Sequence, residues 1–358
     1  NTLDSITVSD CTLDPAFNSA TTEYSCTVKN NISSVTVNAT ATSTKAKVRG
    51  LGAKDLVEGK NTLPIRVIAE DGSEKIYNVN VTRKQAVQNV SIFGKKFKVV
   101  DTEPTLTTSS NNTTDASGLY TSTDTNTGKP TYYFRGNVTN NYVKFAGQTW
   151  RIVRVNEDGT IRIVMQDGIN NNTSYKFNSN HNNYTYMYYS NSEAKTQLQS
   201  WYQTNIGSKT NLASKVATGA YYCEQAKVKN SDSMTSGSAT MTTYNKYTPD
   251  FKCSSDGNNK GVVSASVGLL TYDELVYAGG YPYLENKNYY LYNSAIGWWT
   301  MSPAGFWSGS SYVWCVSTTG FAGNDFVNDT VAVRPVLNLT TDTLATGSGT
   351  SSDPFVIS

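Results

Sequence analysis

Histidine is almost missing from this chain. A single imidazole, His181, stands in 358 residues, so a metal site built on several histidines is excluded and Ser-His-Asp chemistry would have to run through that one residue. Nothing near it resembles the sharp strand-to-helix turn that mounts such a nucleophile, and His181, in the Asn/Tyr-rich stretch 178–189, reads as a bystander. Charge is also scarce. Asp, Glu, Lys and Arg make up 16% of the chain against roughly 25% in typical soluble domains, and a net charge of +2 leaves no electrostatic footprint for nucleic acid. No run of about 18 apolar residues occurs, so no helical membrane span is expected. No signal peptide is visible either; with Asn1 first, the sequence reads as a mature fragment whose export signal and anchor were removed or lie elsewhere.

Cysteine is sparse, and its placement is informative. The five are Cys11, Cys26, Cys223, Cys253 and Cys315, with no CxxC pair of the kind that holds zinc. Two disulfides within domains, Cys11–Cys26 and Cys223–Cys253, plus one odd thiol are expected, which fits an oxidising compartment. Five reduced thiols in a reducing cell are the alternative. Cys315, in a strand-like Val-Trp-Cys-Val run, reads as a small buried residue rather than a nucleophile. In place of charge the chain has Asn, Thr, Ser and 24 Tyr, a surface kept soluble by hydrogen bonding, as is common outside cells. Sequons such as Asn31-Ile32-Ser33 arise by chance in so Asn-rich a chain.

The length predicts two domains. From Leu3 to Arg83, short runs place apolar residues at period two: Ile6–Val8, Tyr24–Val28, Val35–Val37, Lys47–Arg49, Thr62–Ala69 and Lys75–Val81. That is the pattern of a β-sandwich with one face of each sheet buried, and Asp71-Gly72 is a hairpin signal between the last two runs. Five segments, Leu3–Val8, Leu13–Phe17, Thr22–Tyr24, Leu56–Asn61 and Ala69–Gly72, taken with Tyr77, make the stretch resemble the cadherin-like β-sandwich repeat of bacterial surface proteins. The resemblance implies a spacer or stalk without catalytic residues. The calcium-binding pattern of true cadherins is not present, and an adhesive role for the module itself is the lesser alternative.

Residues 85–117 read as a linker: one weak strand at Lys96–Val100, then a polar run with Pro104 and Asn111-Asn112. The second domain is expected over 118–358. It opens with hairpins at Thr131–Gly136, Asn141–Phe145, Thr149–Val155 and Thr160–Met165, their arginines alternating outward. Ser190-x-x-Glu193 and Thr271-x-x-Glu274 are capping boxes that start two short helices, the second stopping at Gly279-Gly280. The carboxylates of both read as caps rather than catalysts. Between the helices runs a polar excursion, 208–260, read as an ordered insertion stapled by Cys223–Cys253. The Gly/Ser/Thr-rich tail ends in Pro354–Ile357, expected to return as an edge strand near the domain's start.

The stretch 297–339 mixes two kinds of position. A frame of Trp299, Ser302-Pro303, Val316, Gly320, Val327 and Val333–Leu337 alternates with aromatic and small polar residues of no helix or strand period, the composition of a recognition surface. Trp299, Ser302-Pro303 and Val333–Leu337, with the order of elements, resemble the C-type-lectin-like fold, in the branch shared by formylglycine-generating enzymes and the variable proteins of diversity-generating retroelements. Tyr132–Gly136, Arg151–Val153, Leu270–Leu275 and Ala278–Gly280 are similar to surface proteins of Gram-positive bacteria that end in such a domain. In retroelement variable proteins, the resemblance implies, a fixed scaffold displays residues mutated in bulk to change ligand. On that basis the exposed ligand-binding role falls to Phe306, Trp307, Ser308, Ser310, Tyr312, Trp314, Ser317, Thr319, Phe321, Asn324, Asp325, Phe326, Asn328 and Asp329. The scaffold role falls to Trp299, Pro303, Val316, Gly320, Val333, Arg334 and Pro335. Period-two counting does not decide whether Tyr312 and Trp314 face out or in. Arg334 is expected to salt-bridge or to bond backbone carbonyls in the core.

The enzymes of that fold family need residues this chain lacks. A three-histidine iron site, as in related sulfoxide synthases, is impossible, and formylglycine-generating enzymes use a cysteine pair near the C-terminus where only Cys315 stands. The acidic-Pro-Asn loop and Trp-Asn-Asp strand of calcium-dependent lectins are also missing, so neither metal nor cofactor is expected. The expectation is a two-domain protein: an all-β Ig/cadherin-like sandwich (1–84), a linker (85–117) and an α+β C-type-lectin-like domain with two short helices (118–358). It is expected outside a bacterial cell, attached through another region, binding a protein or glycan on another cell, a host or a phage. The competing expectations are a structural surface or pilus-tip module without a foreign ligand and, further off, a formylglycine-generating-like oxidoreductase.

Overall fold

The computed structural model describes residues 1–84, 89–100, 102, 104–106, 115–123, 129–224, 251 and 262–358. The chain divides into two compact units, Asn1–Gln88 and Asn89–Ser358.

The first unit consists of β1 (Leu3–Val8), β2 (Glu23–Val28), β3 (Ser34–Ala41), β4 (Lys47–Arg49), β5 (Gly52–Asp55), β6 (Gly59–Ile68) and β7 (Glu74–Arg83). They form a three-stranded sheet, β1-β3-β5, and a four-stranded sheet, β2-β7-β6-β4. The period-two residues do what their spacing implies: Leu3, Ile6, Val8, Tyr24, Val28, Val35, Val37, Ile65, Val67, Tyr77, Val79 and Val81 are buried in one core. Asp71-Gly72 turns β6 into β7, with the Gly72 N–H donating to Ala69 C=O at 3.0 Å and φ of 83° at the glycine. Cys11 and Cys26 form the expected disulfide.

The second unit begins earlier than the sequence suggests. β8 (Asn89–Ile92) and β9 (Lys95–Lys98) form a hairpin inside the stretch expected as linker, and Ile92, Phe97 and Val99 belong to this unit's core. Polar neighbours hide so short an apolar pattern. The remaining strands are β10 (Gly118–Thr123), β11 (Pro130–Arg135), β12 (Tyr142–Phe145), β13 (Gln148–Val155), β14 (Ile161–Met165), β15 (Ser174–Lys176), β16 (Ala220–Cys223), β17 (Val262–Ala265), β18 (Trp298–Trp307), β19 (Ser310–Val316), β20 (Ala322–Phe326), β21 (Thr330–Ala332), β22 (Val336–Leu339) and β23 (Phe355–Val356). One sheet runs β10-β11-β13-β12-β23, with β14 joining β13 to β22; another runs β15-β21-β18-β19-β20. The tail returns as expected, β23 lying parallel to β12.

Two expectations are corrected here. Arg135, Arg151, Arg154 and Arg162 do not point outward but are buried, because both faces of their sheet are covered by other elements. Arg135 pairs with Asp115, while Arg154 and Arg162 both pair with Glu274. The first helix, Glu193–Tyr202, is capped by Ser192, which accepts from Lys195 N–H, and not by Ser190; Ser190 instead bonds the Glu224 carboxylate through its N–H and hydroxyl. The second helix, Tyr272–Ala278, has the full Thr271/Glu274 capping box and ends at Gly279 in the left-handed region, as the sequence predicts. Of the expected stapled excursion, Cys223 ends β16 and is disulfide-bonded; Cys253 lies outside the described residues.

Candidate functional site

β18, β19 and β20 are adjacent antiparallel strands. The hairpin between the first two turns on Ser308 (φ 50°) and Gly309 (φ 73°), a two-residue loop with both residues left-handed, as strand twist favours. Register then decides what meets what: Trp307 pairs with Ser310, Tyr312 with Phe326, Trp314 with Asn324 and Val316 with Ala322.

Those pairings produce a rank of aromatic rings near the hairpin tip. Trp307 stacks on Tyr312 with centroids 3.7 Å apart and planes 7° off parallel, and Tyr312 packs on Phe326 at 4.5 Å. Trp307 and Tyr312 are half-buried and Phe326 is exposed. Phe306 is half-buried and Ser308 exposed beside them. At the far end, Ser317, Thr319 and Phe321 form the turn into β20, in which Ser317 Oγ lies 2.9 Å from Thr319 Oγ1. Gly320 completes that turn with φ of 83°, and a Cβ there would collide with the Asn286 carbonyl. Phe321 is exposed and packs on Tyr283 at 6.4 Å, whose hydroxyl accepts from Asn324 Nδ2.

Two of the residues assigned to the surface are not on it. Trp314 is 1% exposed: Tyr272 of the second helix stacks on it at 4.2 Å and Tyr283 meets it edge-on at 5.2 Å. Ser310 is buried beneath His181, whose Nδ1 lies 3.2 Å from its Oγ. Period-two reasoning could not find either cover, since both come from segments remote in sequence.

Asp325 and Asp329 form an acidic margin, with half-buried Asn328 between them in sequence. Burial, and then a hydrogen bond shared with Asp329, push the Asp325 carboxyl up to about 6. The Phe326 N–H donates to Asp325 Oδ1, and Asp329 N–H donates to Phe326 C=O. At the other end of β20, Ala322 C=O accepts from Tyr283 N–H and Ala322 N–H donates to Leu284 C=O. The backbone of this edge strand is thus largely engaged, and what the face offers is side chains.

The sequence reading missed the Asn/Tyr-rich segment as part of this site. Ser311 ties it down, its N–H donating to His181 C=O at 2.8 Å and its hydroxyl to Asn183 C=O at 2.6 Å. This brings the turn 181–188, with half-buried Tyr184, Tyr186 and Tyr188, beside the aromatic rank. Tyr283 was missed as well. It has φ of 56°, uncommon for a bulky residue, and burial pushes its phenol up to about 12. The frame residues behave as assigned: Trp299, Pro303, Val316, Val333, Arg334 and Pro335 are buried, and Trp299 Nε1 donates to Tyr175 C=O. Cys315 is buried and its thiol is pushed up to about 12, burial being the main cause. Among the described residues no group of three or more His, Cys, Asp or Glu is arranged to hold a metal ion, and no helix is long and apolar enough to cross a membrane.

Residues 3–84 match the cadherin-like beta sandwich domain family, so the first unit is a cadherin-like sandwich. No curated protein and no solved structure matches the chain.

Proposed function

We propose that this is an extracellular bacterial surface protein in which the cadherin-like sandwich is a spacer and the second unit, a C-type-lectin-like head, binds a protein or glycan ligand. The observation that carries the reading is the Trp307–Tyr312–Phe326 rank, held on a rigid sheet and exposed at its outer end. Aromatic rings fixed by strand pairing present large contact area at little entropy cost. Small hydrogen-bonding neighbours, Ser308, Asn324, Asp325 and Asn328, surround them, which is the anatomy of an anchor within a polar rim. The ligand-facing set is accordingly Phe306, Trp307, Ser308, Tyr312, Ser317, Thr319, Phe321, Asn324, Asp325, Phe326, Asn328 and Asp329, with Trp314 and Ser310 supporting it from below. Division of this stretch into a buried frame and an interchangeable face also fits a retroelement-diversified receptor.

Fluorescently labelled full chain would be tested on a panel of bacterial, host and phage surfaces, wild type beside Tyr312→Ser and Phe326→Ser. Loss of binding by about tenfold or more, the effect of removing an interface hot spot, at unchanged melting temperature is the expected result; equal binding by all three proteins overturns the assignment. Sequencing the codons for 297–339 across a clonal population tests diversification: changes confined to the face, with Trp299, Gly320, Arg334 and Pro335 constant, are expected, and an invariant stretch ends that part of the reading.

A further inference from the structure

β18 and β19 place Gly305 opposite Tyr312, and β19 and β20 place Tyr312 opposite Phe326. The three positions form one row across the sheet, since directly paired residues share a face. The row carries three rings although one of its members is glycine. The third ring comes from Trp307, which shares the face of Gly305 two residues further along the strand. A Cβ on Gly305 would lie 2.6 Å from Trp307 Cζ3 and 2.9 Å from Cε3. The indole therefore folds back along β18 into the space that a side chain at 305 would take. There it meets Tyr312 at 3.7 Å, its plane 7° off parallel. Backbone pairing sets Trp307 against Ser310; the vacancy at 305 is what brings its ring flat against Tyr312.

Neighbouring glycines have other uses. Gly309 has open space above it and serves the left-handed turn. Gly268 makes room for Tyr222, which is fully buried in the core. Trp307 is only half-buried, so the space given up at Gly305 serves a ring that still faces solvent. Glycine inside a strand weakens it and often marks a place where another group approaches closely. An aromatic side chain fixed before binding spares the complex the cost of ordering it. We infer that Gly305 is a positioning residue of the aromatic rank: its missing side chain seats the Trp307 indole against Tyr312 and presents the rank preformed. The consequence for binding rests on the ligand-face reading above; the seating itself does not.

The full chain would be labelled with 5-fluorotryptophan, which gives one fluorine resonance for each of the six tryptophans; the Trp307 signal is identified by its loss in Trp307→Phe. In Gly305→Ala that signal is expected to move furthest of the six, and an unchanged Trp307 signal overturns the seating. Because φ at Gly305 is 157°, alanine there also bears on the backbone, and a melting-temperature cycle separates the two causes. Gly305→Ala should lower the melting temperature more in the wild type than in a Trp307→Ser background, which has no ring to displace. Equal losses in both backgrounds place the whole effect in the backbone and overturn the proposal. On whichever bacterial, host or phage surface retains the labelled wild type, Gly305→Ala should bind roughly two- to tenfold more weakly, the cost of ordering one side chain. Equal binding with the Trp307 signal displaced overturns the positioning role and leaves the ligand face intact. Equal binding by Tyr312→Ser and Phe326→Ser is a separate failure, that of the ligand face.

Discussion

Trp314 lies between the rings of Tyr272 and Tyr283, whereas Phe326 is 39% exposed at the end of its rank. The two should answer differently to truncation. Trp314→Ala empties a closed site and should cost about 3–5 kcal/mol; Phe326→Ser should change stability by less than about 1 kcal/mol. Urea unfolding of both variants measures the contrast. Asp325 gives a pH dependence. Its carboxyl is raised from 3.8 to about 6, so in that interval the folded chain holds more protons than the unfolded one. Its contribution to stability is therefore greatest at low pH and declines as pH rises through the window. An NMR titration should find its midpoint near 6 in the wild type and lower in Asp329→Asn, where an amide donor replaces a competing carboxyl.

The helix Tyr272–Ala278 shows how one element serves the interior on two sides. Tyr272 covers Trp314, and Glu274 both completes the capping box and pairs with Arg154 and Arg162. Thr271→Ala removes only a cap, for about 1 kcal/mol. Glu274→Gln strands the buried Arg162 and leaves Arg154 only its longer pair with Glu157 at 3.8 Å, and should cost about 3–5 kcal/mol; comparable losses in thermal unfolding would refute this division of roles. The capping chemistry of this helix was legible because it is local: Thr271, Glu274 and Gly279 lie within one turn of its ends. The first helix was misread by two residues at its start because Ser190 and Ser192 are both competent caps, and Glu224, far along the chain, claims Ser190. The aromatic rank was half legible: Trp307, Tyr312 and Phe326 stood out by composition, but their stacking depends on strand register.

At the scale of the molecule, the disulfide Cys11–Cys26 closes a sequence separation of 15 residues, for which the chain-entropy account gives about 3 kcal/mol. Cys11→Ser should lower the unfolding free energy of the first unit in denaturant by that amount and leave the unfolding of the second unchanged, as tryptophan fluorescence would report, since all six tryptophans fall in residues 150–314. The first unit was readable almost strand for strand, because its alternating runs each bury one face and its turns carry their own signals. The sequence likewise singled out the frame of the last stretch, Trp299, Gly320 and Val333–Leu337, all of which are buried. Only the tertiary structure decided which aromatics are surface: Trp314 and Tyr312 share a strand and a face, and the difference between them is that Tyr272 and Tyr283 arrive from elsewhere to cover one. The same holds for the arginines, polar by type and buried by circumstance. Periodicity reports which side of a strand a residue occupies, but burial is set by what packs against that side, and this information is carried by contacts between segments far apart in the chain.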